Sequence, residues 1–447
     1  MTYEKTESHA VLIVGAGPTG LTLALDLARR GVPFRLIEAA AAPSEGSRGK
    51  GIQPRTLEIF DDLGVIDEIL AAGALYPRFR AHFGPFSIRA GSLGSFKPPT
   101  EAVPYPNVWM VPQSRTEAIL RARLGELGGR VEFGKSLVTF TQDGRGVEAT
   151  LSTGEIARAD FLVGCDGGHS AARKTLGVRM EGEALDEEPM VVADVEVEGL
   201  DRGDWGLWFS RDIGALGLCP LPNTNLFQLT AKARVAEGNV EGVVRKVTGL
   251  RVGRVAWCST YRPSVRMTDR YRVGRVFLAG DAAHVHPPAG GQGLNTGVQD
   301  AYNLGWKLEG ALRGGPDWLL DTYETERLPI AAAVLGLSKR LLETRSIKRG
   351  DATNQLALHY RTSPLSSGTS IGGLHPGDRM PDVRLADGKR LFDHLRGPHA
   401  TEFTTSGGAR ILIRPDGYVA HIGSTRFGEY AGAPTHQVCG PAAASAA

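Results

Sequence analysis

The sequence is short of the features that would take it out of ordinary globular chemistry. It has four cysteines in 447 residues, Cys165, Cys219, Cys258 and Cys439, with no CxxC and no metal-ligand spacing. That scatter excludes a disulfide framework and a zinc cluster, and reads as reduced, structural thiols with no metal. No apolar run approaches the ~18 residues that span a bilayer. The start, Met1 to Ala10, is polar and mixed in charge, and the Val11-Leu12-Ile13-Val14 that follows is too short for a signal-peptide core. A cytoplasmic address and no membrane partner are the expectation. Neither sign of charge dominates, with 51 basic against 49 acidic residues, so nothing points to nucleic acid.

What is present is a chain long enough for two or three domains, each with its own core. The run Val11 to Val14 enters glycines, Thr19 to Arg30 carries Leu21, Ala24, Leu25 and Ala28 at helical spacing, and Phe34 to Glu38 reads as the next strand. Ile52 to Leu70 has a helical pattern, and Phe79 to Ile88 alternates like a strand. Ser114 to Leu127 is helical, and Phe161-Leu162-Val163 is a buried strand. From Glu181 to Arg272 the pattern is mostly strand, at 190–197, 206–209, 215–221, 226–233 and 255–261. Val276 to Ala279 returns to a buried strand, and Gly293 to Gly310 and Trp318 to Arg345 are long helices. Ser363 to Pro376 reads as a Ser/Gly/Pro linker, followed by strands at 409–413 and 418–421 and a low-complexity end, Gly440 to Ala447.

Gly15-Ala16-Gly17-Pro18-Thr19-Gly20 is GxGxxG between a strand and a helix. The first glycine serves a tight turn, the second the close approach of a pyrophosphate, and the third helix–strand packing. The open N–H groups at that helix start, near Pro18 and Thr19, suit a diphosphate. Glu38 lies eighteen residues past Gly20 at a strand end, where a carboxylate accepts hydrogen bonds from ribose hydroxyls. Farther on, Gly290-Gly291-Gln292-Gly293 leads into a helix at Leu294 and Asn295, whose free N–H groups suit a flat, electron-accepting ring. There is one GxGxxG only, so a second dinucleotide would visit transiently.

Two further segments carry a resemblance. Asp166-Gly167-Gly168-His169-Ser170-Ala171-Ala172-Arg173 with Gly177 matches DGxxSxxRxxxG, and Arg275 to His284 contains Gly280-Asp281 followed by Pro287-Pro288 and Gly291 to Asn295. In this order and spacing they resemble the group A flavoprotein monooxygenases, the aromatic hydroxylases typified by para-hydroxybenzoate hydroxylase and phenol hydroxylase, over about residues 9 to 345.

The resemblance implies an α/β architecture: a Rossmann-like FAD-binding domain with an inserted β-rich substrate domain and a short C-terminal thioredoxin-like remnant. The expected division is 1–180 for FAD binding with substrate-domain strands near 75–110, 181–272 for the substrate domain, 273–362 for the GD motif and long helices, and 363–447 for the linker and shortened C-terminal unit. That unit is shortened because little chain lies between His399 and Arg410. The resemblance also implies FAD held by Gly15, Gly17, Pro18, Thr19, Gly20, Glu38, Arg48, Gln113, Leu137, Asp166, Arg173, Asp281, Pro288, Gly291, Gly293, Leu294 and Asn295. It implies NADPH or NADH as transient reductant, and O2 inserted through a flavin C4a-hydroperoxide into a small phenolic or polyketide aromatic by a monomer or homodimer.

Arg266, Tyr261 and His286 are candidates for work on the phenol, with strand packing the stronger reading of Tyr261 and a plain surface place an equal reading of Arg266. Trp208, Cys219, Leu221 and Phe227 are candidates to line an apolar substrate pocket or to form plain core. Two alternatives stay open: an FAD-dependent epoxidase or other oxygenase on a non-phenolic substrate, and a non-catalytic protein that sequesters FAD or an aromatic ligand.

Overall fold

The computed structural model describes residues 9–439 apart from 85, 185–187, 211–213, 288–289, 345–349, 386, 428 and 432. Val11, Leu12, Ile13 and Val14 are at most 4% exposed, as apolar residues covered on both faces of a parallel sheet must be. Their strand, His9–Val14, lies between the parallel strands Phe34–Glu38 and Ile156–Gly164. Val131–Phe133 extends the sheet on one side and Val276–Leu278 on the other. The helix Pro18–Arg29 packs against the long helix Gly293–Leu312, so the glycine motif near the start of the chain and the one past residue 290 meet at one place.

The helical stretch expected over 52–70 is two helices, Pro54–Asp62 and Ile66–Ala72. Gly64 sits between them at φ +73°, a left-handed turn that ends the first helix and re-aims the second. The alternating stretch 79–88 is a hairpin, Arg78–Phe83 with Phe86–Arg89. Phe79 is buried, but Phe83 and Phe86 are exposed.

The hairpin joins a seven-stranded sheet in the order Val252–Tyr261, Met190–Val197, Leu226–Lys232, Gly214–Pro220, Asp204–Ser210, Arg78–Phe83, Phe86–Arg89. The stretch expected to be nearly all strand also contains helices at Ala233–Ala236 and Val240–Thr248. Asn239 caps the second by accepting from Gly242 N, and Gly249 ends it at φ +74°. Val240, Val243 and Val244 are buried against one face of the sheet, each contributing about 1.5–3 kcal/mol.

That face carries Val191, Ala193, Val195, Trp208, Leu216, Leu218, Phe227 and Leu229. Cross-strand register puts Asp194, Gln228 and Cys219 side by side on the other face, with Thr230, Gly217, Leu207 and Trp205 following by alternation.

The C-terminal chain forms a six-stranded sheet, with Ala400–Thr404 between Arg410–Ile413 (antiparallel) and Ala433–Cys439 (parallel), and Val419–Gly423 beyond Arg410–Ile413. Only two of these strands were legible from the pattern. The stretch read as a linker is anchored, since Ser363 Oγ donates to buried Glu326 at 2.6 Å. The low-complexity end, 440–447, lies outside the described residues. Among the described residues no helix is long and apolar enough to cross a membrane.

Candidate functional site

One cavity of about 450 Å³ gathers residues from eight separate stretches of chain. Gly15, Gly17, Pro18 and Thr19 form one wall, Glu38 and Arg48 a second, and Gln113 and Leu137 a third. Asp166, Asp281, Gly293 and Leu294 complete it. The cavity therefore brings together twelve of the positions singled out in the sequence.

The three motif glycines do different jobs. Gly15 has φ +101°, and a Cβ there would lie 2.4 Å from the Cys165 carbonyl oxygen. A Cβ at Gly20 would lie 1.9 Å from the Gly15 carbonyl oxygen, so this glycine lets the helix close on the turn. A Cβ at Gly17 would meet nothing within 4 Å. Nothing in the packing requires glycine at Gly17; a side chain there would occupy the cavity itself, which fits the close approach of a diphosphate.

Glu38 is oriented by the backbone: Ala16 N donates to its Oε2 at 2.7 Å and Ala40 N to its Oε1 at 2.9 Å. Asp281 opens onto the cavity and accepts no hydrogen bond from a described residue; enclosure pushes its carboxyl above the ordinary range, against the pull of His284 and Arg48. Asp166 spends Oδ2 on Ala171 N and Ala172 N, while its buried Oδ1 has no partner. Buried polar atoms without partners call for a ligand or solvent. These acceptors fit a dinucleotide whose sugar hydroxyls donate the missing hydrogen bonds.

Pro288 lies outside the described residues. Gly20 sits beneath the cavity wall, as packing requires. Arg173 is a correction: it is 6% exposed and outside the lining, its NH1 donating to Ala282 O and its NH2 to Gly168 O, so it ties the two motif loops together. Asn295 is likewise committed. Its Oδ1 accepts from Gln53 N at 2.7 Å, and its Nδ2 donates to Gly51 O and Gly291 O. The amide thus staples residues 51–53 to the helix start, leaving backbone N–H groups there for a ligand, with no side chain capping that helix. Gly291, at φ +62°, has a Cβ direction that meets only Gln53 Nε2 at 4.0 Å.

His286 belongs to a buried chain. His284 Nε2 lies 2.6 Å from Asp300 Oδ2, and His284 Nδ1 lies 2.9 Å from His286 Nε2. Asp300 is held well below the ordinary carboxylate range: burial opposes this, and His284 and Arg327 outweigh it. An ionised Asp300 accepts only, so His284 donates from Nε2, and one proton is shared between His284 Nδ1 and His286 Nε2. His286 Nδ1 is left buried with no partner. Burial, with His284 adding to it, pushes His286 well below its ordinary pKa, so the ring is neutral.

The remaining candidates divide. Arg266 is exposed on a three-stranded sheet opposite Val285, away from the cavity lining. Tyr261 ends an edge strand opposite Met190. Trp208 and Phe227 are corrected to core, because they lie on the helix-covered face of the seven-stranded sheet. Leu221 is buried in the turn before Leu226. Cys219 alone of the four lies on the opposite face, with Sγ 3.7 Å from Met110 Sδ.

The sequence reading missed Lys135 and Ser136, which line the cavity because Lys135 N bonds Glu38 O and Gly134 N bonds Ala40 O. It also missed the strap 46–51. Ser47 N donates to Asp194 Oδ2 at 2.8 Å, Ser47 Oγ bonds Asp194 Oδ1, and Gln228 Nε2 donates to Ser47 Oγ at 2.8 Å. Arg48 NH2 reaches Ser259 Oγ at 3.3 Å, which secures the strap on the sheet beside the cavity.

Comparison with known proteins meets this geometry. The FAD binding domain family matches residues 8–338. A flavin-dependent monooxygenase of Mycobacteroides abscessus is 42% identical over 458 residues, covering 92% of this chain and 96% of that protein. The 6-methylpretetramide 4-monooxygenase of Streptomyces rimosus is 36% identical over 419 residues, covering 83% and 74%. Among solved structures, an anhydrotetracycline hydroxylase from Streptomyces rimosus superposes with a TM-score of 0.75 at 30% identity, over 93% of this chain and 96% of that one. With the motif residues converging on one cavity and relatives matched over 74% to 96% of their length, the chain belongs to the FAD-binding family of flavin-dependent monooxygenases.

Proposed function

We propose that this enzyme uses NADPH or NADH and O2 to hydroxylate a polycyclic phenolic substrate, polyketide-like in shape, and that the cavity residues hold its FAD. The observation that carries this reading is the cavity lined by all three motifs with its open cradle at Gly17. The relatives that act on pretetramide and anhydrotetracycline supply the substrate class.

When bound, FAD supplies the two-electron chemistry and the activation of oxygen. The backbone N–H groups at Gly293, Leu294 and Asn295 favour negative charge on a ring set against them. Glu38, held by Ala16 N and Ala40 N, takes ribose hydroxyls. Asp281 accepts from hydroxyls along the chain between ring and diphosphate. His286 Nδ1 orients a substrate hydroxyl through a hydrogen bond, but a ring this hard to protonate does not keep the proton.

The test is anaerobic reduction of the flavin-loaded protein by NADPH or NADH with and without hydroxyanthraquinones and naphthacenes, then reaction under ¹⁸O2. One ¹⁸O atom in the product and reduction speeded by the aromatic are expected. A protein that binds FAD but oxidises NAD(P)H only to peroxide across that panel would overturn the reading.

A further inference from the structure

The strap 46–51 carries a charge that no described carboxylate pairs with. Lys50 is 9% exposed, and its Nζ has no nitrogen or oxygen hydrogen-bond partner among the described residues. It sits 4.2 Å from the centroid of the Trp205 ring, a contact that attracts a cation but accepts no classical hydrogen bond. The buried Nε1–H of the same indole also has no acceptor. Trp205 packs on Phe79 and Tyr76, so the lysine is held against an aromatic floor on the strap-covered face of the seven-stranded sheet, opposite its helices.

The charged and titratable groups facing Lys50 do not satisfy it. Asp194 feels its charge, but both carboxylate oxygens are engaged by Ser47. Cys219 takes a hydrogen-bond contact from Lys50, but burial outweighs that pull and pushes the thiol up, leaving it a neutral and poor acceptor; Arg202, near Cys219, adds only positive charge. A buried ammonium without a hydrogen-bonded anion costs several kcal/mol.

The backbone fixes where this ammonium stands. Lys50 O accepts from Val111 N, and the next residues, Gly51 and Gln53, are stapled to Asn295 at the helix start assigned above to the flavin ring. Lys50 therefore projects between that helix start and the sheet face bearing Trp205 and Cys219.

We propose that Lys50 is a specificity-determining residue that binds the substrate as its oxyanion, a phenolate or an enolate, through an Nζ–H···O⁻ hydrogen bond. The inference rests on the hydroxylase reading and deepens it. An ionised hydroxyl donates electron density into its ring, which is what an oxygen-accepting aromatic carbon needs, and the neutral His286 would not hold the charge-separated state alone. The same cation selects against ethers and unsubstituted aromatics, which leave it buried and unpaired.

The probe is alizarin, a hydroxyanthraquinone whose ionisation is visible to the red of flavin absorption, with its dimethyl ether as the neutral control, both titrated onto flavin-loaded protein. An opposite charge at this range lowers an acid's ionisation point by about 1–3 pH units. Wild type is expected to bind the dye as its anion at least one pH unit below free dye, and to prefer it to the ether by roughly tenfold or more. Lys50→Met is expected to lose both the shift and the preference, Lys50→Arg to keep part of each, and all three proteins to hold FAD equally. Lys50→Met should also raise the thermal midpoint of the ligand-free protein, since it removes an unpaired buried charge. If Lys50→Met instead lowers that midpoint and leaves the dye shift intact, the lysine is a structural companion of Asp194 and the proposal falls; wild type binding ether and dye alike overturns it as well. A dye shift without ¹⁸O in any product would count against the hydroxylase reading alone.

Discussion

Two regions of this molecule bury charge, and they account for it in opposite ways. At the seam between the long helices and the C-terminal sheet, Glu326 accepts from Lys307, Asn303, Ser363 and both terminal nitrogens of Arg414. Asp416 accepts from Arg414 and Trp306, and Arg55 donates to its carbonyl. Every charge there is answered by another within hydrogen-bond distance. Around the cavity, Asp166 Oδ1 and Lys50 Nζ are buried without such an answer among the described residues, and Asp281 opens onto the cavity with none. The difference separates structure from function: paired charges hold two parts of a fold together, and unpaired ones await a ligand.

The largest effect should come from breaking the seam. Arg414→Met leaves Glu326 and Asp416 buried without their main partner, and should cost about 3–5 kcal/mol in urea unfolding of the FAD-loaded protein. A loss under about 1 kcal/mol would mean that these paired charges do not hold the seam together.

The two motif glycines sharpen the comparison next. Gly20→Ala drives a Cβ into a backbone carbonyl and should destabilise even the FAD-free protein by about 1–3 kcal/mol. Gly17→Val puts its side chain into open cavity, so the FAD-free thermal midpoint should stay put while FAD affinity falls at least about tenfold, roughly 1.4 kcal/mol. Equal effects of the two on both measurements would erase the distinction.

Asp281→Ala should weaken FAD by about 1–3 kcal/mol in fluorescence titration without destabilising the FAD-free protein, since nothing in the fold uses its oxygens. Glu38→Ala should do both, because Glu38 also anchors Ala16 and Ala40.

The smallest effect is the seam's response to acid. Although burial alone would raise it, Arg414 and Lys307 hold the Glu326 carboxyl below its ordinary value of 4.5. A depressed folded value gives stability that is complete above 4.5 and drains away as pH falls below it, by at most about 1.4 kcal/mol per pH unit. The stability gap between wild type and Glu326→Gln should therefore narrow from pH 5 downward; a gap constant to pH 3 would contradict the pairing.

Most of the cavity was legible because dinucleotide sites are built from short contiguous motifs whose spacing mirrors a strand, a turn and a helix. Gly17, Glu38 and Asp281 could be placed without coordinates for that reason. Arg173 and Asn295 stand in the same motifs, but their side chains turn to backbone carbonyls and to the Gly51–Gln53 segment, and no spacing rule reveals where a side chain turns. Lys135 and Ser136 carry no motif at all; they reach the cavity through backbone bonds to Glu38 and Ala40.

The sequence by itself determined the family chemistry: the glycine turns, the strand ends that carry carboxylates, and the lack of any second dinucleotide motif or redox cysteine pair. It also placed a strand at 206–209, within Asp204–Ser210, and a period of two then sets Trp205 and Trp208 on opposite faces. Only the tertiary structure decided what lies against each tryptophan. Two helices within the β-rich stretch claim the Trp208 face, and the strap bearing Lys50 covers the other. A period of two divides residues between faces but names neither face, because what lies against each comes from chain far away in sequence.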